Sequence, residues 1–147
     1  MPVNDQAVGK SFPPYTYAVG REKVREYANA VGETNALHVD PGAARAAGYA
    51  DVVAPPMFAV VYSGPAVAPA IFDPDVGLNF ALMLHGSQEF VWGPVVVAGN
   101  EIETAVTVKE ISERNGMGFY VFESVSRRGD GETVCTGTWT NIVRGVS

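Results

Sequence analysis

Wound as a helix, the stretch 57–72 is apolar on nearly every side, and such a helix is stable in water only where other elements cover it. Tyr62, Ser63, Gly64, Pro65 and Pro69 interrupt it, so it reads as a buried central helix and not as a membrane span. The two prolines are expected to end or kink it. Ahead of it, Pro55-Pro56 imposes an extended approach, because each ring fixes its own φ and Pro56 drives Pro55 out of the helical region. From about Ala81 the hydrophobic period changes to two. Residues 82–92, 100–111, 119–127 and 133–143 read as strands, separated by turn chemistry at 93–100, at Asn115-Gly116 and at Gly129-Asp130-Gly131. One covered helix followed by an antiparallel meander predicts an α+β fold in which the sheet wraps the helix.

The length of 147 residues suits one domain spanning 1–147. With 47% hydrophobic and 18% charged residues the chain can bury a core. Ten basic against sixteen acidic side chains leave a net charge of −6, and no Lys or Arg cluster is long enough for a run of phosphates, so nucleic acid is not an expected partner. Arg127 and Arg128 precede the Gly-Asp-Gly turn and read as a solvated strand end. The sole cysteine, Cys135, cannot form an internal disulfide and lies in an alternating strand pattern without a nearby base, as a buried structural thiol would. No basic start with an apolar leader is visible, which together with the cysteine usage predicts a cytoplasmic protein without membrane attachment. Phosphate loops, dinucleotide glycine motifs, nucleophile elbows and Cys-x-x-Cys pairs are missing from the sequence. The two histidines, His38 and His85, would need carboxylates to complete a metal site, and neither a metal nor a cofactor is expected.

Nearer the start, 15–19 reads as a short strand ending at Gly20. Residues 21–31 place Val24, Ala28 and Val31, with Tyr27, on one helical face and Glu22, Lys23, Arg25 and Glu26 on the other, and Gly32 stops the helix. Asp40-Pro41 reads as an N-cap followed by proline at the first helical position, opening a short helix through Ala43, Ala44 and Ala47 to Gly48. Between these helices lies Gly32-Glu33-Thr34-Asn35-Ala36-Leu37-His38-Val39-Asp40. A carboxylate and an imidazole at this spacing on a loop can converge on one small volume. Glu33 can hold or deprotonate a water while His38, of a residue type whose ordinary pKa is about 6.5, exchanges a second proton. The plain alternative has Glu33 merely following a helix-ending glycine and His38 bonding a loop carbonyl, and spacing alone leaves both open.

The run 27–40, followed by Ala44 and Gly48-Tyr49, resembles the signature of the MaoC-like (R)-specific enoyl-thioester hydratase and dehydratase family, Gly-Asp-x-Asn-Pro-x-His-x-Asp. The resemblance implies a hot-dog fold and reversible hydration of 2-enoyl thioesters of CoA or acyl carrier protein. It puts Glu33 at the position of the catalytic Asp and His38 at that of the catalytic His. Asn35 matches the loop-supporting Asn, and Ala36 replaces the common Pro. Gly20-Arg21-Glu22-Lys23-Val24-Arg25-Glu26-Tyr27, Val53-Ala54-Pro55-Pro56-Met57-Phe58, His85-Gly86-Ser87-Gln88-Glu89-Phe90 and the stretch 94–99 are similar to the FAS1-like dehydratase branch, which includes small subunits of actinobacterial 3-hydroxyacyl-acyl carrier protein dehydratases.

Two departures from that pattern bear on chemistry. Glu33 is one methylene longer than the family Asp. Pro56 stands where the catalytic branch has a Gly whose N–H polarises the thioester carbonyl, and proline has no N–H. The next amide, Met57 N–H, is the substitute at the helix start, where the first amides are unpaired and carry positive potential. Some subunits of the branch lack the catalytic pair and only hold the acyl chain. Retention of Glu33 and His38 points away from that role.

His85 opens a strand in the branch's His-Gly pattern and reads as structural, as does Asn100 in its turn. Phe90, Trp92, Phe119, Phe122 and Trp139 fall at strand spacing and read mainly as core. Strand edges and an incompletely covered helix favour a homodimer, and the resemblance admits a heterodimer with a second hot-dog subunit. A thioesterase is a third reading, because hot-dog folds host that chemistry too. It ranks last, since the loop has the hydratase signature.

Overall fold

The computed structural model describes residues 2–146. Its regular elements are β1 (Tyr15–Ala18), α1 (Arg21–Ala30), α2 (Pro41–Ala46), α3 (Ala59–Ile71), β2 (Met83–Trp92), β3 (Glu101–Arg114), β4 (Met117–Arg128) and β5 (Thr133–Arg144). The strands form one antiparallel sheet in the order β1-β3-β4-β5-β2. The sheet wraps α3, which packs against β1, β3 and β4, so the fold is an α+β hot-dog.

The expected meander holds for β3, β4 and β5 only. Asn115 and Gly116 adopt φ values of 54° and 73°, the left-handed pair that a two-residue hairpin between twisted strands requires. Strand β2 does not pair with β3 but lies at the far edge beside β5. The reason lies in 93–100, which is not a simple turn. It runs extended beside 52–54, with Ala54 N–H donating to Val96 O at 2.8 Å and Ala98 N–H to Val52 O at 3.0 Å. These bonds satisfy its backbone while it crosses to the β1 side of the sheet.

The central helix also differs in detail from expectation. A single 3-10 turn over Pro56–Phe58 leads into α3, with Pro55 extended ahead of it at φ −57° and ψ 151°. The helix runs through Pro65 and Pro69 to Ile71 and is not ended by either. These prolines, spaced one turn apart, both sit on an exposed face, where water can satisfy the carbonyls that lose their helical donors. The opposite face, with Tyr62, Ser63, Ala66, Val67 and Ala70, is buried.

Two apolar clusters form the core. One joins the C-terminal half of α3 to Val106, Val108, Tyr120, Phe122 and Val143 on the sheet. The other centres on Phe58, fully buried, with the rings of Tyr17, Tyr27 and Tyr62 edge-on to it at 5.5–6.3 Å. This second cluster anchors the start of α3 against α1 and β1. Among the described residues, no helix is long and apolar enough to cross a membrane.

Candidate active site

The loop between α1 and α2 is organised by its own side chains. Helix α1 ends at Ala30, and Gly32 takes φ 72°, a left-handed turn that glycine makes without steric cost. Glu33 N–H then reaches back to Ala28 O at 2.8 Å. The Glu33 carboxylate accepts the Asn35 N–H through Oε1 at 3.1 Å. Asn35 in turn caps a 3-10 turn over Ala36–His38, its Oδ1 accepting Leu37 N–H at 3.0 Å and its carbonyl accepting His38 N–H at 3.1 Å. Asp40 begins α2 with a side-chain cap on Gly42 N–H at 2.9 Å, and Pro41 follows as its first residue. Asn35 and Asp40 are therefore both Asx caps.

His38 is buried, 8% exposed, and its Nδ1 lies 2.5 Å from the carbonyl oxygen of Val53. A carbonyl can only accept, so Nδ1 bears the hydrogen and the neutral ring keeps its lone pair on Nε2. The bond to a loop carbonyl is the plain alternative read from the sequence, and it leaves Nε2 without a proton. Val53 also donates its N–H to Leu37 O at 2.8 Å, so the segment and the loop grip each other twice. The part played by Val53 has no sequence signal, because any residue offers the same backbone groups.

One residue beyond Val53 an apolar cleft of about 410 Å³ begins, lined by Ala54, Pro55, Pro56, Trp92, Val96 and Val134 among others. Trp92, expected in the core, is half-exposed instead. Its indole N–H donates to Pro56 O at 3.2 Å, joining the end of β2 to the turn that starts α3. Met57 follows Pro56 in that turn and is 45% exposed. Its amide falls in the first helical turn, where helix geometry supplies no acceptor. Tyr62 borders the same cleft, and burial raises its phenol well above the ordinary range. Its neighbour Cys135 is buried, with its thiol also pushed up by burial, which suits a structural role rather than a nucleophilic one.

His85 lies elsewhere, exposed on β2 at a bulge, with Nε2 3.1 Å from both Ser87 O and Gln88 Oε1 and its ring stacked on Trp139. Phe122 is core, Phe90 and Trp139 are partly buried against it, and Phe119 lies beneath Arg114.

Residues 6–137 match the family described as FAS1-like, dehydratase domain region. A protein named UPF0336 from Clavibacter michiganensis subsp. michiganensis is 44% identical over 146 residues, covering 99% of this chain and 98% of its own. Another of that name from Saccharopolyspora erythraea is 41% identical over 148 residues, covering 100% of this chain and 95% of its own. Among solved structures, the C-terminally truncated HadBC (3R-hydroxyacyl-ACP dehydratase) complex from Mycobacterium tuberculosis contains a similar chain. It has a TM-score of 0.83 and 27% identity, and the match covers 93% of this chain and 97% of that one.

Proposed function

The chain belongs to the FAS1-like dehydratase domain family, and from that premise we propose that it adds water reversibly to trans-2-enoyl thioesters. The reverse direction dehydrates (R)-3-hydroxyacyl thioesters, with CoA or acyl carrier protein as the carrier. The observation that carries this reading is the Nδ1 bond from His38 to Val53 O, which leaves Nε2 as an acceptor on the loop that also bears the Glu33 carboxylate.

In the hydration direction Glu33 accepts one hydrogen of a water through the carboxylate oxygen not engaged by Asn35. His38 Nε2 takes the other proton as the water oxygen bonds to C3. The C2=C3 electron pair moves toward the thioester carbonyl, whose developing charge the Met57 N–H receives. The imidazolium then returns its proton to C2, so that both parts of one water end on the same face of the product and His38 is regenerated. The cleft from Ala54 to Val134 takes the apolar part of the acyl group. A cytoplasmic location agrees with this reading, the sole cysteine being a buried free thiol.

Crotonyl-CoA hydration followed by absorbance, with purified wild type, His38→Ala and Glu33→Gln, tests the assignment. Turnover by wild type and its loss in both variants are expected. Equal rates in all three would overturn it.

Pro56, which offers no N–H at the helix start, favours a second reading in which the chain is an acyl-binding partner of another hot-dog subunit. The relationship to the HadBC complex chain accords with it. That reading predicts thioester binding without turnover by the chain alone, and activity only after a second subunit is added. A homodimer goes with the first reading, and sedimentation at micromolar concentration distinguishes the two assemblies.

A further inference from the structure

The loop bearing Glu33 and His38 runs from α1 to α2, and one carboxylate outside both helices ties them down. Arg21, the first residue of α1, donates Nε–H to Asp51 Oδ1 at 3.0 Å and Nη2–H to Oδ2 at 2.8 Å. Arg45, in the last turn of α2, brings Nη2 to 4.0 Å from the same Oδ2. Asp51 Oδ1 also accepts Val52 N–H at 2.8 Å, which aligns the carboxylate with the segment 51–54. Two residues beyond Asp51, Val53 holds His38. Among the described residues, no other ion pair joins either helix to this segment.

The segment has independent support on its other side, where Val52 and Ala54 bond to Ala98 and Val96. What Asp51 adds is therefore the placement of α1 and α2, and of the loop between them, relative to a segment already fixed. The fork from Arg21 has the planar two-bond geometry that restricts orientation as well as distance.

We propose that Asp51 is a positioning residue, which ties the start of α1 and the end of α2 to the segment gripping His38 and so sets how Glu33 and His38 stand relative to each other. This inference rests on the Glu33–His38 reading above. Displacing a catalytic group by about 1 Å can cost roughly a hundredfold in rate. Asp51, Arg21 and Arg45 lie outside both apolar clusters of the core, so loosening this ion pair misaligns the loop while the core packing stands.

The test compares wild type, Asp51→Asn, Asp51→Glu and Arg21→Lys by steady-state kinetics on crotonyl-CoA and by 15N spectra of the His38 ring. We expect Asp51→Asn to lower kcat about tenfold with KM changed less than about twofold. Arg21→Lys, which keeps the charge and loses the fork, should fall between it and wild type, and Asp51→Glu should recover part of the rate. In the spectra, wild type should show the Nδ1–H tautomer alone, and Asp51→Asn a mixture with Nε2–H. Wild-type kcat together with an unchanged tautomer in Asp51→Asn would overturn the proposal. If Asp51→Asn does not fold, the same two readouts on Arg21→Lys decide. If wild type fails to hydrate crotonyl-CoA, the hydratase reading fails by itself, and the ring spectra still decide whether Asp51 orders His38.

Discussion

The imidazole of His38 gives its Nδ1 hydrogen to the carbonyl oxygen of Val53 across 2.5 Å, and this one bond determines which ring nitrogen is left for chemistry. It also ties the loop to the chain that leads from Val53 within four residues to Met57 and the start of the central helix. Removing the ring in His38→Ala leaves the buried Val53 oxygen without its donor, a loss of about 1–3 kcal/mol. Urea denaturation should show that decrease, with the slope unchanged. The rate of thioester hydration should fall by roughly two to four orders of magnitude, the usual contribution of a general acid-base group.

Shortening Glu33 to Asp should lower kcat by roughly tenfold to a hundredfold with KM nearly constant, as when a transition-state interaction is lost. The Glu33 carboxylate accepts Asn35 N–H at 3.1 Å, and the shorter side chain cannot keep that bond without moving its other oxygen. Steady-state kinetics on crotonyl-CoA provide the check. A clear gain in kcat on Glu33→Asp would instead mark the glutamate as a degraded site and favour the acyl-binding partner role.

Phe58 is fully buried among three tyrosine rings. Phe58→Ala should cost about 3–5 kcal/mol, since the surrounding rings cannot collapse fully into the space. Because this cluster seats the start of α3, the variant should also lose activity under conditions where it remains folded. Denaturation midpoints paired with rate measurements separate the two effects.

Arg21, through its hydrogen bonds, and the Val52 amide hold the Asp51 carboxyl down at about 2, from an ordinary value of 3.8. A depressed carboxyl stabilises the fold above its unfolded value, and that contribution disappears as pH falls through the folded value. The stability difference between wild type and Asp51→Asn should therefore be fully present at pH 7, shrink below about pH 4 and be lost only as pH falls below about 2. Urea midpoints measured across this range test it, and a difference as large at pH 2 as at pH 7 would contradict the assignment.

Much of the fold was legible because local chemistry and periodicity agree along the chain. The alternation of 100–111 and 119–127 and the Asn115-Gly116 pair specify a hairpin wherever they occur, and Asp40-Pro41 starts a helix by capping its own backbone. The Glu33 to His38 loop was legible for the same reason, as Asn35 organises it through bonds two residues away. The place of β2 beside β5 was not legible. It follows from 93–100 finding backbone partners in 52–54, a pairing between segments over forty residues apart that no local pattern encodes. The survival of α3 through Pro65 and Pro69 likewise depends on which face the sheet leaves to water. Sequence alone placed a carboxylate and an imidazole on one loop. Only the tertiary structure decided the tautomer of His38, because the acceptor is a backbone carbonyl, identical at every residue and selected solely by where the chain brings it.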